Sequence, residues 1–424
     1  MTSVSAVSAE PVSSAEPVSS AEPVPTAVTM ISVDDHVVEP PDVWTSRLPA
    51  KWHDECPRAV EDDGRVVWRF ERKQKSLAEL GGRLFDPASG KRDLVDFPER
   101  YEDLRPGCYQ PEARVADLDQ AGISASLCFP AFPRFCGQEF TEASDHELGL
   151  ACVRAYNDWM IDEWCGAVPG RLIPLIILPL WDADLAVAEV ERCAAKGARA
   201  VTFSENPAAL GLPSVHDRRR YWDPVFAACA DAGMPVCAHI GSSSRLPYTS
   251  DDAPPLVVAT LPSNLAASAL ADWLYSGLFV RYPTLKLCLS EGGIGWIPAI
   301  LERADYVFER YAPRLKTGTG FGLTGMGAVD AGEFNTGSVD VRPSELFRDH
   351  VFGCFIDDRH GAASIAELGV DNVMVECDYP HGDSSWPHAR ELILEQVAHL
   401  DADEQAKVLQ GNARRVFGLE AVGG

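Results

Sequence analysis

Short runs of apolar and β-branched residues recur along the chain from Thr29 onwards, and stretches with helical periodicity separate most of them. Runs that no polar residue interrupts are typical of parallel strands that are buried on both faces. The eight runs are Ile31 to Val33, Ile123 to Phe129, Leu172 to Leu178, Ala198 to Phe203, Pro235 to Ile240, Leu285 to Leu289, Val351 to Ile356 and Val373 to Cys377. Eight alternations of strand and helix predict a (β/α)8 barrel, also called a TIM barrel.

Two long segments interrupt this repeat. Asp42 to Ala113 is charged and irregular and follows the first run, and Tyr311 to Asp349 is glycine-rich and separates the sixth run from the seventh. Insertions of this length are tolerated on barrel loops and often cover the active face. A doubly wound sheet is the alternative fold, but it usually has fewer strands and a glycine-rich first turn, which this sequence lacks.

The two ends of the chain differ in character. The first 29 residues repeat "SAEPVS", and such Pro, Ser and Glu repeats cannot bury enough surface to offset the entropy of ordering, so they are predicted to be disordered. They contain no basic and apolar regions of the kind found in secretory signals. The stretch "DADEQAKVLQGNARRVFGL" predicts a closing helix that Asp401 or Asp403 caps and Gly418 ends. One domain is therefore predicted over residues 30–421.

Composition narrows the possible partners. The chain has 37 basic and 63 acidic residues and a net charge of −26, which argues against binding to nucleic acid or to an anionic membrane. No stretch approaches about 18 consecutive apolar residues, so no membrane span is predicted. The twelve cysteines include no C-x-x-C pair, and we interpret them as reduced core residues of a cytoplasmic protein.

Acids and histidines follow six of the eight runs. They are Asp34, Asp35 and His36 after the first, Glu205 after the fourth, His239 after the fifth, Glu291 after the sixth, Asp357 and Asp358 after the seventh, and Asp378 and His381 after the eighth. The carboxyl ends of barrel strands form the face on which barrel enzymes carry out their chemistry. The pattern therefore predicts a polar site at one end of the barrel.

Four of these residues form a candidate metal site. Asp34 and His36 are two positions apart, so their side chains point the same way from an extended strand. With His239 and Asp378 they make a mixed set of two nitrogens and two oxygens, which suits one divalent ion, Zn²⁺ in preference and Mn²⁺ as the harder alternative. Each residue alone also has a structural interpretation, as a helix cap, a turn or a core histidine.

At these residues the sequence resembles the amidohydrolase-related branch of the amidohydrolase superfamily, the group that includes the aminocarboxymuconate semialdehyde and resorcylate-type decarboxylases. The resemblance runs from about Ile31 to Leu419 and rests on "VDDHVVEPPDVW", "HIG", "SEGGIGWIP", "CDYPHGDSSWP" and "GNARRVFGL". It implies a (β/α)8 barrel with one divalent ion, whose ligands would be Asp34, His36, His239 and Asp378. It also implies a homodimer.

The sequence departs from the family pattern at two strands. The first strand carries D-x-H where many members have H-x-H, although the resorcylate-type decarboxylases also have an acid there. The sixth strand carries Glu291 where members commonly have a histidine. A glutamate can act as a general acid or base if burial raises its pKa. It can equally be a structural acid that bonds to the turn at Gly292 and Gly293, and the sequence leaves both roles open.

We therefore predict a metal-dependent enzyme that acts on a small carboxylated aromatic or unsaturated carbonyl compound by non-oxidative decarboxylation, with Glu291 or His381 as the acid. The alternative is hydrolysis of an amide, ester or C–C bond by a metal-activated water, with Glu291 or Asp378 as the base. A metal-free barrel with a binding or structural role is a third hypothesis. Candidates for holding a substrate carboxylate are Arg359, His360 and Arg245.

Overall fold

The computed structural model describes residues 28–80, 98–316, 321–322, 328–329 and 340–419. Apart from Val28 and Thr29, the tail predicted to be disordered lies outside these residues. The strands are β1 (Met30–Val37), β2 (Arg58–Asp62), β3 (Arg65–Phe70), β4 (Lys73–Ser76), β5 (Ile123–Pro130), β6 (Leu172–Ile173), β7 (Leu175–Ile176), β8 (Ala200–Ser204), β9 (Val236–His239), β10 (Leu287–Ser290), β11 (Phe321–Gly322), β12 (Ala328–Val329), β13 (Val351–Phe355) and β14 (Val373–Val375).

Nine of these strands form one parallel sheet in the order β6-β5-β1-β14-β13-β10-β9-β8-β7. The two end strands, β6 and β7, are the two halves of one barrel strand. Pro174 interrupts this strand, because it has no N–H to donate into the ladder. One half pairs with β5 and the other with β8. The sheet therefore closes into a ring of eight barrel strands in chain order, which confirms the predicted (β/α)8 barrel.

Helices surround this ring. They are α1 (Pro111–Gln120), α2 (Gln138–Thr141), α3 (His146–Trp159), α4 (Ala183–Ala195), α5 (Asp223–Ala232), α6 (Pro255–Thr260), α7 (Ser263–Tyr275), α8 (Leu278–Arg281), α9 (Ile297–Lys316), α10 (Pro343–His350), α11 (Arg359–Ala363), α12 (Ile365–Leu368), α13 (Ala389–Gln396), α14 (Ala402–Ala406) and α15 (Asn412–Val416). The closing helix is continuous through a π-helical turn at Lys407–Gly411. Its N-cap is Asp401, which forms a reciprocal capping box with Glu404.

The first insertion is a folded wall beside the carboxyl ends of the strands. Its three-stranded antiparallel sheet, β2-β3-β4, lies against the loop and short helices that follow β5. Lys73 pairs at 2.9 Å with Glu139, whose side chain is only 2% exposed, and Lys75 bonds to the same carboxylate. Glu71 accepts a hydrogen bond from the backbone N–H of Ser144 at 2.9 Å. These contacts join the insertion to the barrel, although residues 81–97 lie outside the described part.

The second insertion is shorter than the sequence predicts. Helix α9 continues to Lys316 and α10 begins at Pro343, so both ends of the predicted segment, Tyr311 to Asp349, are helical. Glycine-rich sequence remains only between these helices, and most of it lies outside the described residues. Among the described helices, none has both the length and the apolar character that a membrane crossing requires.

Apolar residues fill the space on both sides of the barrel wall. Inside the ring lie Ile31, Val33, Leu127 and Phe129 together with side chains from the other barrel strands. A larger cluster fills the layer between the strands and the surrounding helices. All twelve cysteines are buried and free, as predicted for core residues. Packing on both sides thus holds the carboxyl ends of the barrel strands rigidly, and it fixes the positions of the side chains that these ends carry.

Candidate metal centre

At the carboxyl ends of the barrel strands, the structure brings together six side chains that the sequence predicts to belong to the site. They are Asp34 and His36 on β1, His239 at the end of β9, Glu291 after β10, and Asp378 and His381 after β14. Asp35 lies between Asp34 and His36, and strand alternation points its side chain away from the cluster. Its carboxylate accepts hydrogen bonds from the Ser126 hydroxyl and the Tyr379 N–H. The inward direction of Asp34 and His36 agrees with their spacing in the sequence.

Short distances connect the members of this cluster. The Nε2 atom of His36 lies 3.5 Å from Asp34 Oδ1 and 3.2 Å from Asp378 Oδ1. The Nε2 atom of His239 lies 3.5 Å from Asp34 Oδ2 and 3.2 Å from Glu291 Oε2. His381 Nδ1 lies 2.9 Å from Asp378 Oδ1. Donor atoms of Asp34, His239 and Asp378 therefore lie around the imidazole of His36.

Hydrogen bonding leaves this cluster unsatisfied in a way that fits a cation. Seven buried polar atoms have no hydrogen-bond partner among the described residues, namely both carboxylate oxygens of Asp34 and Asp378, both ring nitrogens of His36, and Nε2 of His239. One unpartnered buried polar atom costs about 1–3 kcal/mol, so seven in one place would be a large penalty unless they bind something. The donor atoms of Asp34, His36 and His239 all lie within 4.8 Å of one another, as do those of His36, Asp378 and His381. Carboxylate oxygen and imidazole nitrogen are the donors that divalent ions take in such sites.

His239 has the protonation state that a ligand needs. Its Nδ1 lies 2.6 Å from the carbonyl oxygen of Ile240, so Nδ1 carries the proton and donates it there. The lone pair is then on Nε2, the atom that faces the acids. Burial lowers the pKa of His239 to about 4. Burial, and then the neighbouring His381, also holds the pKa of His36 well below its ordinary value, so both rings are neutral at neutral pH.

Two acids of the cluster sit on unusual backbone. Asp378 has φ +59° and Glu291 has φ +57°, in the left-handed region that residues with a Cβ rarely adopt. The N–H of Asp378 donates to the carbonyl of Asp34 at 2.8 Å, and the N–H of Glu291 donates to Glu376 at 3.1 Å. Such conformations cost about 1–3 kcal/mol and concentrate at functional sites. Here they turn both carboxylates back over the mouth of the barrel.

Sequence reasoning missed Glu376, a fully buried acid behind the cluster. The thiol of Cys354 donates to its Oε2 at 2.6 Å. Burial raises the pKa of Glu376 to about 8. Burial and the nearby carboxylates of Asp378 and Glu376 raise the pKa of Glu291 well above its ordinary value. An acid inside the last apolar run, "NVMVECDYP", was the signal that could have revealed it.

The buried acids give the metal-free protein an expected pH dependence. Burial raises the pKa of Glu39 to about 7 and that of Glu376 from 4.5 to about 8. Between pH 6.5 and 8 the folded state therefore holds protons that the unfolded state has released, so stability falls as pH rises. His36 and His239 offset part of this change, because in the unfolded state their pKa is about 6.5 and they are half protonated at that pH, whereas in the folded state they are neutral. We expect chelator-treated protein to lose about 2 kcal/mol across this window in urea unfolding.

Two variants serve as controls for this pH dependence. Glu39→Gln and Glu376→Gln each remove one titrating carboxyl, so each should flatten the decline in stability between pH 6.5 and 8. A stability of the metal-free protein that stays constant or rises over this range would contradict the interpretation.

The three predicted carboxylate-binding residues lie elsewhere. Arg359 is exposed on α11 and forms an ion pair with Glu395 at 3.3 Å. His360 and Arg245 are exposed as well, the latter on the loop after β9. The structure does not bring them into the cluster, and their substrate role stays a prediction. Asp358 after β13 caps α11 and accepts hydrogen bonds from the backbone of the turn after β10, so this strand-end acid has a structural part.

Aromatic rings line one side of the cluster, and sequence reasoning did not single them out as site residues. Phe135, on the loop after β5, stacks on His239 with ring centroids 4.0 Å apart and an angle of 11° between the planes. Phe129 meets the same imidazole edge-on at 4.9 Å. Their only signal was the repeated phenylalanine in "CFPAFPRFCG". The polar cluster therefore has an apolar wall.

Comparison with known proteins gives relatives along most of the chain. The curated 2-amino-3-carboxymuconate-6-semialdehyde decarboxylase of Caenorhabditis elegans is 22% identical over 273 residues, which cover 53% of this chain and 65% of that protein. The gamma-resorcylate decarboxylase of Rhizobium radiobacter is 27% identical over 291 residues, which cover 65% of this chain and 79% of that protein. Both relatives are decarboxylases of carboxylated compounds by name.

Solved structures share the fold. The crystal structure of an amidohydrolase from Mycobacterium avium subsp. paratuberculosis superposes with a TM-score of 0.69 at 23% identity and covers 92% of this chain and 100% of that one. A dihydroxybenzoic acid decarboxylase from Polaromonas sp. JS666, solved with bound manganese and the inhibitor 2-nitroresorcinol, has a TM-score of 0.58 at 19% identity and covers 93% and 98%. The family model described as amidohydrolase matches residues 42–419. With this match over most of its length, the chain belongs to the amidohydrolase family, a family of metal-dependent enzymes.

Proposed function

We propose that this protein is a non-oxidative decarboxylase of a small carboxylated aromatic compound, and that Asp34, His36, His239 and Asp378 hold one divalent ion. The observation that carries the proposal is the placement of Glu291, whose Oε2 lies 3.2 Å from the proposed ligand His239. Burial and neighbouring acids raise its pKa, which favours the protonated form. Decarboxylation by this route uses a proton donor near the ion, whereas hydrolysis by a metal-activated water uses a base that deprotonates the water.

The residues around the ion would perform the reaction in two steps. Glu291 gives its proton to the ring carbon that bears the carboxylate. The bond between that carbon and the carboxyl carbon then breaks, its electron pair returns to the ring, and carbon dioxide leaves. The Glu291 side chain is 22% exposed, which lets it regain a proton from solvent. His381, which is 19% exposed and has Nδ1 2.9 Å from Asp378 Oδ1, is the second candidate for the acid.

The divalent ion has a supporting part in this scheme. When bound, it supplies positive charge that stabilises negative charge on the oxygens of the substrate. Asp34, His36, His239 and Asp378 would hold it, and the apolar rings of Phe135 and Phe129 exclude water from one side. Zn²⁺ is our preferred ion because two imidazoles and two carboxylates suit it. Mn²⁺ is the alternative, as in the manganese-bound decarboxylase of Polaromonas.

One further property, the oligomeric state, is carried by the family resemblance alone. We expect a homodimer, which light scattering after size exclusion would detect. A cytoplasmic location remains a prediction from the reduced cysteines.

Measurement of carbon dioxide tests the proposed function. The metal-loaded protein, incubated with a panel of hydroxybenzoates, is expected to release carbon dioxide in step with loss of the acid. The same panel supplied as amides and esters should remain intact. Hydrolysis of the amides or esters with no carbon dioxide from the acids would reject decarboxylation in favour of the hydrolase alternative.

A further inference from the structure

Phe135 contacts both histidines of the proposed ion site. Its ring lies flat against His239 at 4.0 Å and meets His36 edge-on at 5.6 Å, with 67° between the planes. A parallel stack at 4.0 Å leaves little freedom for the imidazole to turn about its Cβ–Cγ bond, because any rotation drives the ring edge into the phenyl face. The phenyl ring thus defines the plane in which His239 lies.

Three structural elements hold Phe135 in this place. The hydroxyl of Thr202 on β8 donates to the Phe135 carbonyl at 2.7 Å. Glu39 accepts the N–H groups of Ala131 at 3.0 Å and Phe132 at 2.8 Å, which fixes the start of the same loop. Gly241 leaves room for the ring, since a Cβ there would come within 3.2 Å of Phe135 Cε2. The stack is therefore a supported arrangement rather than an incidental contact of a loose side chain.

Besides Phe135, the imidazole of His239 meets Phe129 edge-on at 4.9 Å and His36 edge-on at 5.1 Å. The only hydrogen bond that the imidazole itself makes in the described structure joins Nδ1 to the Ile240 carbonyl at 2.6 Å. In metal sites, partners behind a ligating imidazole fix its orientation, and their loss typically costs about 10–100-fold in affinity. A single bond to a carbonyl next in the chain allows the ring to tilt about that bond. The stacked phenyl ring removes this freedom.

We propose that Phe135 is a positioning residue of the metal centre, holding the imidazole of His239 in the plane that directs Nε2 at the ion. The inference rests on the metal-dependent part of the proposed function through His239, but it does not depend on which reaction the centre performs. It predicts that the affinity for a divalent ion depends on an aromatic ring at position 135.

The chain offers a matched control. Phe279 stacks on His350 at 4.6 Å with 14° between the planes, and Nδ1 of His350 lies 2.8 Å from the carbonyl of Leu285. This pair has the same chemistry as Phe135 and His239, but it lies at the amino ends of β10 and β13, the opposite end of the barrel from the cluster. A phenylalanine-to-leucine change can therefore be compared at two equivalent stacks.

The experiment measures Co²⁺ binding to the chelator-treated full chain by competition with a chromophoric chelator, together with the visible absorption of the bound Co²⁺. Phe135→Leu is expected to weaken binding by about tenfold or more and to shift the absorption bands, because the imidazole loses its fixed plane. Phe135→Tyr should restore both properties. Phe279→Leu should bind Co²⁺ like the unaltered protein.

The opposite results would overturn the proposal. A Phe135→Leu protein that binds Co²⁺ with unchanged affinity and an unchanged spectrum removes any positioning role. Should that variant fail to fold, Thr202→Val, which deletes only the bond to the Phe135 carbonyl, must weaken binding for the proposal to stand. Co²⁺ binding by the unaltered protein without decarboxylation would reject the proposed reaction and leave this comparison valid, whereas absence of binding would reject both.

Discussion

Replacement of His239 with alanine is expected to abolish both metal retention and turnover. His239 contributes the Nε2 lone pair that faces Asp34 and Glu291, and its burial keeps the ring neutral. Since loss of a partner behind a ligand already costs about 10–100-fold, loss of the ligand itself should lower metal affinity by more than about a hundredfold. Elemental analysis after dialysis and the rate of carbon dioxide release measure the two effects.

His350→Ala is the matched control for this change. His350 is also a buried histidine with a carbonyl partner and a stacked phenyl ring, but it lies at the far end of the barrel. It should retain the metal of the unaltered protein even if its stability falls. Unchanged metal content in the His239→Ala protein would remove His239 from the ligand set.

Replacement of Glu291 with glutamine is expected to leave the metal in place and to lower kcat by about 10²–10⁴-fold. The glutamine side chain has nearly the same shape, but it cannot donate the proton that we assign to the glutamic acid. Burial and the neighbouring Asp378 raise the pKa of Glu291, which favours the protonated form that the proposed role requires. Rates of carbon dioxide release at saturating substrate, compared at equal metal content, measure this effect.

Glu205→Gln provides the comparison for Glu291. Glu205 is a buried acid just after β8 that accepts hydrogen bonds from the hydroxyls of Ser242 and Ser243, and it has no assigned part in the reaction. Its replacement should leave kcat within a few-fold of the unaltered enzyme. If the Glu291→Gln enzyme kept its full kcat, Glu291 would not be the acid. His381 would then be the remaining candidate for that role, or neither residue would act as the acid.

The barrel could be predicted from the sequence because each barrel strand is an apolar run of a length that suits a buried parallel strand. The third run is broken in the structure, since Pro174 cannot donate to the ladder. Glycine-rich composition predicts too long a second insertion, because the residues around Tyr311 and Asp349 continue the helices on either side of the glycine-rich stretch.

The six clustered side chains could be predicted because barrel topology places the residue after each strand at one mouth. Strand alternation also separated Asp34 and His36 from Asp35. It could not place Arg359, His360 or Arg245, whose directions depend on helix starts and loops rather than on a strand. Glu376 was hidden inside an apolar run, and Phe135 lies on a loop whose path is set by distant partners such as Thr202.

Metal content of the purified chain, measured by elemental analysis after exhaustive dialysis and again after reconstitution with Zn²⁺ or Mn²⁺, tests the central claim most directly. If Asp34, His36, His239 and Asp378 form one site, the protein will retain about one equivalent of a divalent ion per chain. A protein that retains none under either condition, while remaining folded, would contradict the metal centre on which the proposed reaction depends.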